Sequence, residues 1–558
     1  MTPRKRKRFS NSGLRMTSFN FTRHEIESKI FLVVDDFGDM RGMLRSMLSS
    51  IGVGEIDTAI NGREAIEALE RKRYDVILCD YNLGPGKNGQ NVLEEARHRQ
   101  LIGLDAVFVM ITAENTREMV MGAVEYEPDS YLTKPFSKDL LKSRLEKLVI
   151  KRQDLHEVET AVSAQEFESA LRMLDEKIAA KPKNLAELTK QKAEILYRAG
   201  EYEQAGDVYE GVLAVREMPW ARLGLGKVFY ATDRMQEAAA VFDGLLQENE
   251  RLTAAYDWLA RSLQALDRGR EAQDVLLRAV ALSPKAILRQ KALGELAMQN
   301  GDNKVAEEAF TQAVKLGRNS VYKAPGLYTN LARAKSRCGD GAAGLKIIEN
   351  MEKEFKGADA SQLHAATARG VIHQNMGDPA EAGVWMWQAA ELYESMGPQV
   401  TADLTLEMAR SYGELGELDN AQAMLRQAVK NNHADQELLR KVEGLVGELD
   451  LGMDAKNFVS DIRREIVKLN NRGVAMAKAG QLHEAVALFS EAVAAMPGNK
   501  VVNLNAARVM IMDMHERGVE RGRLGQVREL LERVRKLDPE GPALRRVQTM
   551  YQELVKRA

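Results

Sequence analysis

The segment YDVILCDYNLGPGKNG, residues 74–89, decides the fold of the N-terminal part of the chain. A short apolar run ends on an aspartate, Asp80, and passes directly into a glycine-rich loop. An apolar run bounded by turn residues predicts a strand that is covered on both faces, as in a parallel α/β sheet. Such sheets bind their ligands beyond the carboxyl ends of the strands. Asp80 is therefore predicted to lie at the functional edge of a parallel sheet.

Further strand-like segments surround this one, and segments with helical periodicity separate them. Besides residues 75–80, the predicted strands are KIFLVVDD (29–36), EIDTAI (55–60), AVFVMITA (106–113) and DSYLTKPF (129–136). A last helix is predicted from about Lys138. Five strands that alternate with helices predict right-handed crossovers and a doubly wound five-stranded parallel sheet.

Polar residues follow four of these strands: Asp35 and Asp36, Asp80, Thr112, and Lys134. A single acidic residue at a strand end is most often a cap, but four ends with complementary chemistry favour one shared site. Repulsion among three ionised carboxylates that lie close together costs a free energy on the order of several kcal/mol unless a cation compensates. Mg²⁺ fits a site of one or two carboxylates, water and phosphate oxygens. Lys134 and Thr112 supply the charge and the hydroxyl donor that a phosphoryl group requires.

The set DD (35–36), D (80), TA (112–113) and KPF (134–136) closely resembles the receiver domain of bacterial two-component response regulators. The segment FLVVDDFGDMRGMLRSMLSSIG (31–52) is especially similar to single-domain chemotaxis receivers. The resemblance spans about residues 28–150 and implies a flavodoxin-like receiver fold. It also implies that Asp80 is the phosphoacceptor, which attacks the phosphorus of a phosphohistidine on a partner kinase.

The resemblance further implies a metal site. Asp36 and Asp80 would bind Mg²⁺ through their carboxylates, Asn82 through its backbone carbonyl, and Asp35 through a bound water. Thr112 and Lys134 would hold the phosphoryl oxygens.

Two further features concern the switch that such a site implies. Tyr131 matches the rotating aromatic residue of the family, which turns inward when Thr112 moves toward the phosphoryl group. The distance in sequence from Asp80 to Gly89 is nine residues, where such receivers commonly have eight. This longer, glycine-rich loop is expected to alter phosphoryl lifetime or kinase docking.

Downstream of residue 150, a tight-turn residue followed five positions later by a small residue recurs along the chain. The pairs are Gly200/Ala205, Asp233/Ala238, Asp267/Ala272, Gly301/Ala306, Gly339/Gly344, Gly377/Ala382, Gly416/Ala421 and Gly480/Ala485. The turn-to-turn steps are 33, 34, 34, 38, 38, 39 and 64 residues, and a step near 34 is typical of helix-turn-helix solenoids. The longer interval before Gly480 is predicted to hold a degenerate unit around Asp450/Ala455.

The best copy, residues 470–499, strongly resembles the tetratricopeptide repeat. The resemblance covers about residues 155–540, with 163–182 as a first partial unit and 543–558 as a capping helix. It implies an all-α superhelical solenoid with a concave groove. The aromatic residues Trp385, Trp387 and Tyr393 are predicted to pack between repeats. Candidates to line the groove and clamp a peptide carboxylate are Asn330, Arg333, Asn503 and Arg508.

Composition excludes several classes of function. The 558 residues include 79 basic and 81 acidic ones, so no global field favours nucleic acid or an anionic membrane. Two cysteines, Cys79 and Cys338, offer no disulfide framework or cysteine metal site, which favours a cytoplasmic protein. No apolar run reaches the length of a membrane helix. The basic cluster PRKRKRF (3–9) is predicted to belong to a disordered tail, and Met16 is an alternative start.

The predicted domains are a tail (1–27), a receiver (28–150) and a repeat domain (151–558). The predicted function is that of a response regulator, phosphorylated by a sensor histidine kinase or a phosphotransfer protein. Its output would be protein binding in the repeat groove, or a change in self-association. A helix shared by both domains near residues 138–160 is expected to transmit the switch.

Two alternatives come from other classes: a constitutive scaffold whose receiver serves only for docking or dimerisation, and a nucleic-acid-binding protein. No catalytic set follows residue 150, so the protein is not expected to be an enzyme beyond its own phosphorylation and dephosphorylation.

Overall fold

The computed structural model describes residues 26–113, 128–152, 154–539 and 541–556. The predictions for the basic cluster at residues 3–9 and for an alternative start at Met16 lie outside the described residues.

The N-terminal part is built on a five-stranded parallel sheet with the strand order β2-β1-β3-β4-β5. Its strands are β1 Ile30–Val34, β2 Glu55–Ala59, β3 Val76–Asp80, β4 Val107–Thr112 and β5 Ser130–Thr133. The order reverses between β1 and β3, so crossovers leave both faces of the sheet covered. The predicted doubly wound sheet is confirmed, and β3 is fully buried along its length.

Four described helices flank this sheet: α1 Gly38–Ile51, α2 Gly62–Arg71, α3 Gly89–His98 and α4 Lys138–Arg152. Alternate residues of each strand point to opposite faces, so the sheet supports two separate cores. Leu32 and Ile77 belong to one core, and Phe31 and Val76 belong to the other. Helix α3 starts directly behind the loop of residues 81–88, which we call the phosphoacceptor loop after the role predicted for Asp80. The Asn88 side chain and Asn91 form a capping box at its start.

The prediction that one continuous helix spans residues 138–160 is wrong. Helix α4 ends at Arg152, and a new helix, α5, starts at His156. Asp154 lies between them with a φ of 73°, in the left-handed region that interrupts a right-handed helix. The junction is held instead by Arg152, which lies 2.5 Å from Asp129 of the receiver and 2.9 Å from Glu187 of the repeats.

The rest of the chain is an array of antiparallel helix pairs, with a single 3₁₀ turn at Gly397–Gln399 among the described residues. Its helices are α5 His156–Ser163, α6 Phe167–Ala179, α7 Leu185–Ala199, α8 Tyr202–Val215, α9 Pro219–Ala231, α10 Met235–Glu248, α11 Thr253–Ala265, α12 Gly269–Leu282, α13 Ile287–Gln299, α14 Asn303–Gly317, α15 Pro325–Arg337, α16 Gly341–Glu354, α17 Asp359–Asn375, α18 Pro379–Met396, α19 Ala402–Glu414, α20 Leu418–Asn431, α21 Gln436–Glu448, α22 Ala455–Lys478, α23 Leu482–Ala495, α24 Lys500–Arg517, α25 Arg521–Leu537 and α26 Pro542–Val555.

The turn period predicted from the sequence is present in the backbone. Each of the predicted turn residues has a positive φ: Gly200, Asp233, Asp267, Gly301, Gly339, Gly377, Gly416, Asp450 and Gly480. The small residue five positions later packs where two helices cross, and Ala205 and Ala485 are both 0% exposed. A second regularity is the approach of a first-helix glycine to a second-helix phenylalanine, as in Gly473, where a Cβ would lie 2.6 Å from the Phe489 ring.

The degenerate unit differs from the prediction in one respect. Asp450 makes the expected turn, but α22 then runs without a break for 24 residues, up to the turn at Gly480. The second helix of the degenerate unit and the first helix of the best copy are therefore one helix. The predicted capping helix is present as α26, with Leu544, Val547 and Leu554 as its buried face.

The array curves back on itself, so helices distant in sequence touch. Arg440 of α21 donates to the backbone carbonyl of Tyr230, 3.0 Å away, at the end of α9. Arg545 of α26 donates to the carbonyl of Ala164, 3.0 Å away, in the first helix pair. The first and last pieces of the array are thus in contact. None of the helices described is long and apolar enough to cross a membrane.

Candidate functional site

The polar residues at the strand ends meet at one edge of the sheet. The parallel pairing places Val34 beside Cys79, so the residues that follow them, Asp35 and Asp80, are neighbours. Lys134 Nζ lies 2.9 Å from Asp35 Oδ2 and 2.7 Å from Asp80 Oδ1. Asp35 is 0% exposed and Asp80 is 7% exposed. One lysine therefore compensates two buried carboxylates.

The backbone around β1 holds Asp35 in place. Its Oδ1 accepts the backbone N–H of Phe37 at 2.9 Å, and its carbonyl accepts Arg41 Nη1 at 2.6 Å. Asp36 is exposed and faces the phosphoacceptor loop, where a Cβ on Gly84 would lie 3.5 Å from Asp36 Oδ2. Asp35 is thus a buried partner of Lys134, and Asp36 is a carboxylate open to ligands.

The other predicted site residues surround the same edge. Asn82 donates its backbone N–H to Asp80 Oδ2 at 3.2 Å. Thr112 is 4% exposed at the end of β4, and its carbonyl accepts the backbone N–H of Lys134 at 2.7 Å. Tyr131 is half-buried against the core on the α2 and α3 side of the sheet.

Burial and charge shift the protonation of this site. Burial raises the pKa of Asp80, and the nearby Asp35 carboxylate raises it further, whereas Lys134 acts in the opposite direction. Burial alone would lower the pKa of Lys134, but its hydrogen bonds to Asp80 and Asp35 raise it above the ordinary value. Burial also raises the pKa of the Cys79 thiol, so this cysteine stays protonated. The charged form of Lys134 is therefore favoured more than in an exposed lysine, whereas burial and then Asp35 make ionisation of Asp80 less favourable.

The donor set fits a hard divalent cation. The described residues offer no group of three or more His, Cys, Asp or Glu side chains that could together hold a metal ion. Mg²⁺ does not need one, because one or two carboxylates with water and phosphate oxygens complete its shell. Asp36 and Asp80, with the carbonyl of Asn82, supply oxygen ligands of this kind.

The phosphoacceptor loop closes tightly behind Asp80. Gly89 donates its N–H to the carbonyl of Tyr81 at 2.9 Å, and a Cβ on Gly89 would lie only 2.2 Å from the carbonyl oxygen of Asp80. Gly84 and Gly86 have φ values of 72° and 105°, which glycine adopts without strain. These two left-handed glycines therefore let the loop turn sharply between β3 and α3.

A cleft of about 580 Å³ opens between this loop and the β2–α2 connection. Asp36 and Arg63 line one wall, and residues 83–87 line the other. Asn319 of the repeat array also lines the cleft. A residue far away in sequence thus lines the same cleft as Asp36, one of the predicted metal ligands.

Replacement of Asp80 by asparagine is expected to stabilise the receiver at neutral pH when no divalent cation is present. A carboxyl whose pKa is raised by folding binds its proton more tightly in the folded state, so its ionisation destabilises the fold. This cost is absent below the ordinary pKa of 3.8 and grows as the pH rises through the raised value. Lys134 keeps Asp35 as a partner in the variant.

The measurement is hydrogen exchange of peptides from β3, in parent and Asp80→Asn, with a chelator present. We expect slower exchange in the variant at pH 7 and a difference that closes near pH 4. Faster exchange in the variant at pH 7 would contradict the prediction.

Two of the four residues predicted to line the groove are buried in the structure. Arg333 is 1% exposed and pairs with Glu414, which Arg337 also contacts at 3.2 Å. Asn503 is 0% exposed, and its amide donates to the carbonyls of Pro497 and Asn499. The expectation that these two side chains line the groove is therefore wrong, because Arg333 neutralises Glu414 and the Asn503 amide bonds to carbonyls just before its own helix.

Two groove candidates and one aromatic residue lie at or near the surface. Asn330 is half-buried on α15, and Arg508 is exposed on α24, so both stay candidates. Trp387 is 64% exposed, which corrects the prediction that it packs between repeats. Trp385 and Tyr393 do pack against the neighbouring helices.

Sequence reasoning missed the ion pairs inside the array. His364 Nδ1 lies 2.7 Å from Glu407, and this contact raises the pKa of His364 although burial opposes it. Arg410 lies 3.2 Å from Glu448 on the next first helix. Opposite charges one repeat apart were a signal for such pairs, but charged residues on repeat helices are usually solvated.

Comparisons with known proteins agree with this architecture. A family model described as the response regulator receiver domain matches residues 31–146. Two models described as the tetratricopeptide repeat match residues 190–251 and 402–434. The protein is thus of the response regulator class: the chain belongs to the response regulator receiver family through its N-terminal part, which it joins to tetratricopeptide repeats.

Individual relatives cover the receiver. Chemotaxis protein CheY-3 of Vibrio cholerae is 32% identical over 117 residues, which are 21% of this chain and 88% of that protein. Chemotaxis protein CheY of Pseudomonas aeruginosa is 31% identical over 117 residues, 21% of this chain and 93% of that protein. Both relatives are bacterial.

Solved structures resemble each part. A tetratricopeptide repeat protein from Parabacteroides merdae covers 48% of this chain and 97% of its own, with 15% identity and a TM-score of 0.35. The chemotaxis response regulator CheY4 of Vibrio cholerae covers 22% of this chain and 98% of its own, with 28% identity and a TM-score of 0.20.

Proposed function

We propose that this protein is a two-component response regulator that accepts a phosphoryl group on Asp80 and regulates protein binding by its repeats. The observation that carries the proposal is the contact of Lys134 Nζ with both Asp35 and Asp80 at the edge of the parallel sheet. The phosphodonor is a sensor histidine kinase or a phosphotransfer protein. The bounds proposed for the two domains are residues 28–150 and 151–558.

The chemistry is an in-line displacement. An oxygen of the Asp80 carboxylate attacks the phosphorus of a phosphohistidine, and the bond from phosphorus to the imidazole nitrogen breaks, leaving its electron pair on that nitrogen. Asp36, Asp80 and the carbonyl of Asn82 would hold Mg²⁺, which would supply positive charge next to the phosphoryl group. Lys134 moves from carboxylate partner to phosphoryl partner, and Thr112 donates its hydroxyl to another phosphoryl oxygen.

The surface around the cleft supports a protein as the phosphodonor. Phe37, directly after Asp36, is 71% exposed, and Ile60, which lines the cleft, is 46% exposed. Leu140, shortly after the KPF segment, is 44% exposed. A partner protein that docks at this edge would remove these side chains from water, which is favourable.

The output we propose is protein or peptide binding by the repeat array, with self-association as a further mode of regulation. The receiver catalyses only its own phosphorylation and dephosphorylation. A cytoplasmic location suits phosphotransfer from a kinase, and the near-neutral charge does not favour nucleic acid.

Intact mass of the full chain after incubation with Mg²⁺ and phosphoramidate tests the proposal. We expect one phosphoryl adduct on the parent, no adduct on Asp80→Asn, and none on the parent when a chelator replaces Mg²⁺. Because an acyl phosphate is labile, the spectra are recorded at several times after mixing. The absence of an adduct at every time, including with candidate kinases, would favour a constitutive scaffold instead.

A further inference from the structure

Helix α3 differs from the other described receiver helices, because polar residues on it are buried. Gln90, Glu94 and Glu95 are 6%, 9% and 8% exposed. A helix on the surface of a sheet normally buries one apolar stripe. Helices α1, α2 and α4 follow this rule, since their buried residues are apolar or glycine. The outer side of α3 must therefore be covered by another part of the protein.

The cover is the connection between α14 and α15, residues 318–324, which we call the docking loop. Asn319 Nδ2 donates to the carbonyl of Gly86 in the phosphoacceptor loop at 2.9 Å. Ser320 Oγ donates to Glu94 Oε2 at 3.4 Å, and Ser320 is itself 7% exposed. These contacts join positions more than 200 residues apart in sequence.

Two aromatic contacts extend this interface. Tyr322 of the docking loop meets the ring of His98 edge-on, with ring centroids 5.5 Å apart. Lys285, in the connection between α12 and α13, lies 5.8 Å from the centroid of the Tyr81 ring. Two connections of the array, α12–α13 and α14–α15, therefore contact the receiver.

The contacts of the array lie on either side of Asn82 in the phosphoacceptor loop. Tyr81 directly follows Asp80, and Gly86 is three residues before the start of α3 at Gly89. Asn82, the residue whose carbonyl we assign to the metal, lies between them. The array thus contacts the loop at Tyr81 and at Gly86, on either side of Asn82.

We propose that docking of the array on the phosphoacceptor loop and phosphorylation of Asp80 oppose each other. In the docked structure, the N–H of Asn82 faces the Asp80 carboxylate at 3.2 Å. Phosphorylation converts the carboxylate that accepts this N–H into an acyl phosphate, so the loop between the contacts at Tyr81 and Gly86 must adjust, and those contacts resist the change.

The negative charge of a phosphoryl group on Asp80 is also expected to weaken docking. Lys87 lines the cleft and pairs with Glu95 of α3. A phosphoryl group adds a charge of about −1.5 to −2. This new anion competes with Glu95 for Lys87, next to the carbonyl to which Asn319 donates.

Linkage makes the coupling reciprocal: if phosphorylation weakens docking, docking weakens phosphorylation by the same factor. This inference rests on the proposed function of Asp80. The interface is also distinct from the chain junction at Arg152, so the docking loop can separate from α3 while the domains stay joined.

The first experiment compares the rate of phosphoryl incorporation from phosphoramidate and Mg²⁺ in parent and Asn319→Ala. We expect the variant to react about fivefold faster, at the lower end of typical coupling. The matched control is Asn249→Ala, because Asn249 is an exposed asparagine in an earlier connection and accepts the N–H of Arg251. An unchanged or slower rate in Asn319→Ala would overturn the coupling and leave the proposed function intact.

The second experiment measures hydrogen exchange of α3 and of residues 318–324 without any phosphodonor. We expect faster exchange in Asn319→Ala than in parent, and faster exchange in parent when beryllofluoride and Mg²⁺ are added. Equal exchange in parent and variant would show that the docking loop is not held in solution. If neither protein forms an adduct in the first experiment, the proposed function fails, and the coupling fails with it.

Discussion

The variant Gly89→Ala is expected to lose most of its phosphorylation and to destabilise the receiver by about 3 kcal/mol. The added Cβ would lie 2.2 Å from the carbonyl oxygen of Asp80 and 2.9 Å from Met110 Sδ. The backbone oxygen cannot rotate away as the end of a side chain can. Helix α3 must therefore move away from β3, and Asp80 would shift with respect to Lys134.

Hydrogen exchange of β3 peptides measures this effect inside the full chain. The four tryptophans, Trp220, Trp258, Trp385 and Trp387, all lie in the repeats, so their fluorescence reports on the array separately. We expect faster exchange in β3, a rate of adduct formation at least tenfold lower, and unchanged fluorescence.

The control for this variant is Gly42→Ala. Gly42 is exposed on α1, and a Cβ there would meet no atom within 4 Å. Alanine in an exposed helix is more stable than glycine by about 0.5–1 kcal/mol, so this variant should exchange slightly more slowly. If Gly89→Ala behaved like Gly42→Ala, the close packing behind Asp80 would be refuted.

The variant Lys134→Met is expected to have the second large effect. Its removal leaves Asp35, which is 0% exposed, and Asp80 without their shared cation. Loss of one partner from a buried pair typically costs about 3–5 kcal/mol. We also expect Mg²⁺ to restore part of this stability, because it supplies positive charge at the same edge.

The measurement is again exchange of β3 peptides, with chelator and with Mg²⁺, in parent and variant. Lys138→Met is the matched control, since Lys138 is exposed at the start of α4. Equal exchange in Lys134→Met and parent with chelator present would contradict the assigned role of this lysine.

The strand ends and the repeat period were predictable because both are local. An apolar strand followed by Asp80 defines its own place in a parallel sheet, and a left-handed turn at Gly200 or Gly480 needs only glycine at that position. Asp233 and Asp267 were found by the same period although they are not glycine. These predictions needed no knowledge of distant contacts.

The remaining features depend on contacts that a single sequence does not contain. Glu94 reads as a solvated residue until Ser320 covers it from 226 positions away. In the sequence Arg333 looks free to bind a ligand, because the partner that it contacts in the fold, Glu414, lies 81 positions downstream. The uninterrupted helix α22 was missed because the period predicted a boundary where the sequence has no helix-breaking residue.

Contact between the two ends of the repeat array has a consequence for synthesis. A linear solenoid can fold repeat by repeat, since each unit needs only its neighbours. Here Arg545 reaches Ala164 across 381 positions, so this contact cannot form until α26 has left the ribosome. At typical bacterial and eukaryotic speeds the wait is roughly 20–80 s. During translation the first helix pair therefore remains an open edge, and truncation of α26 would leave that edge open permanently.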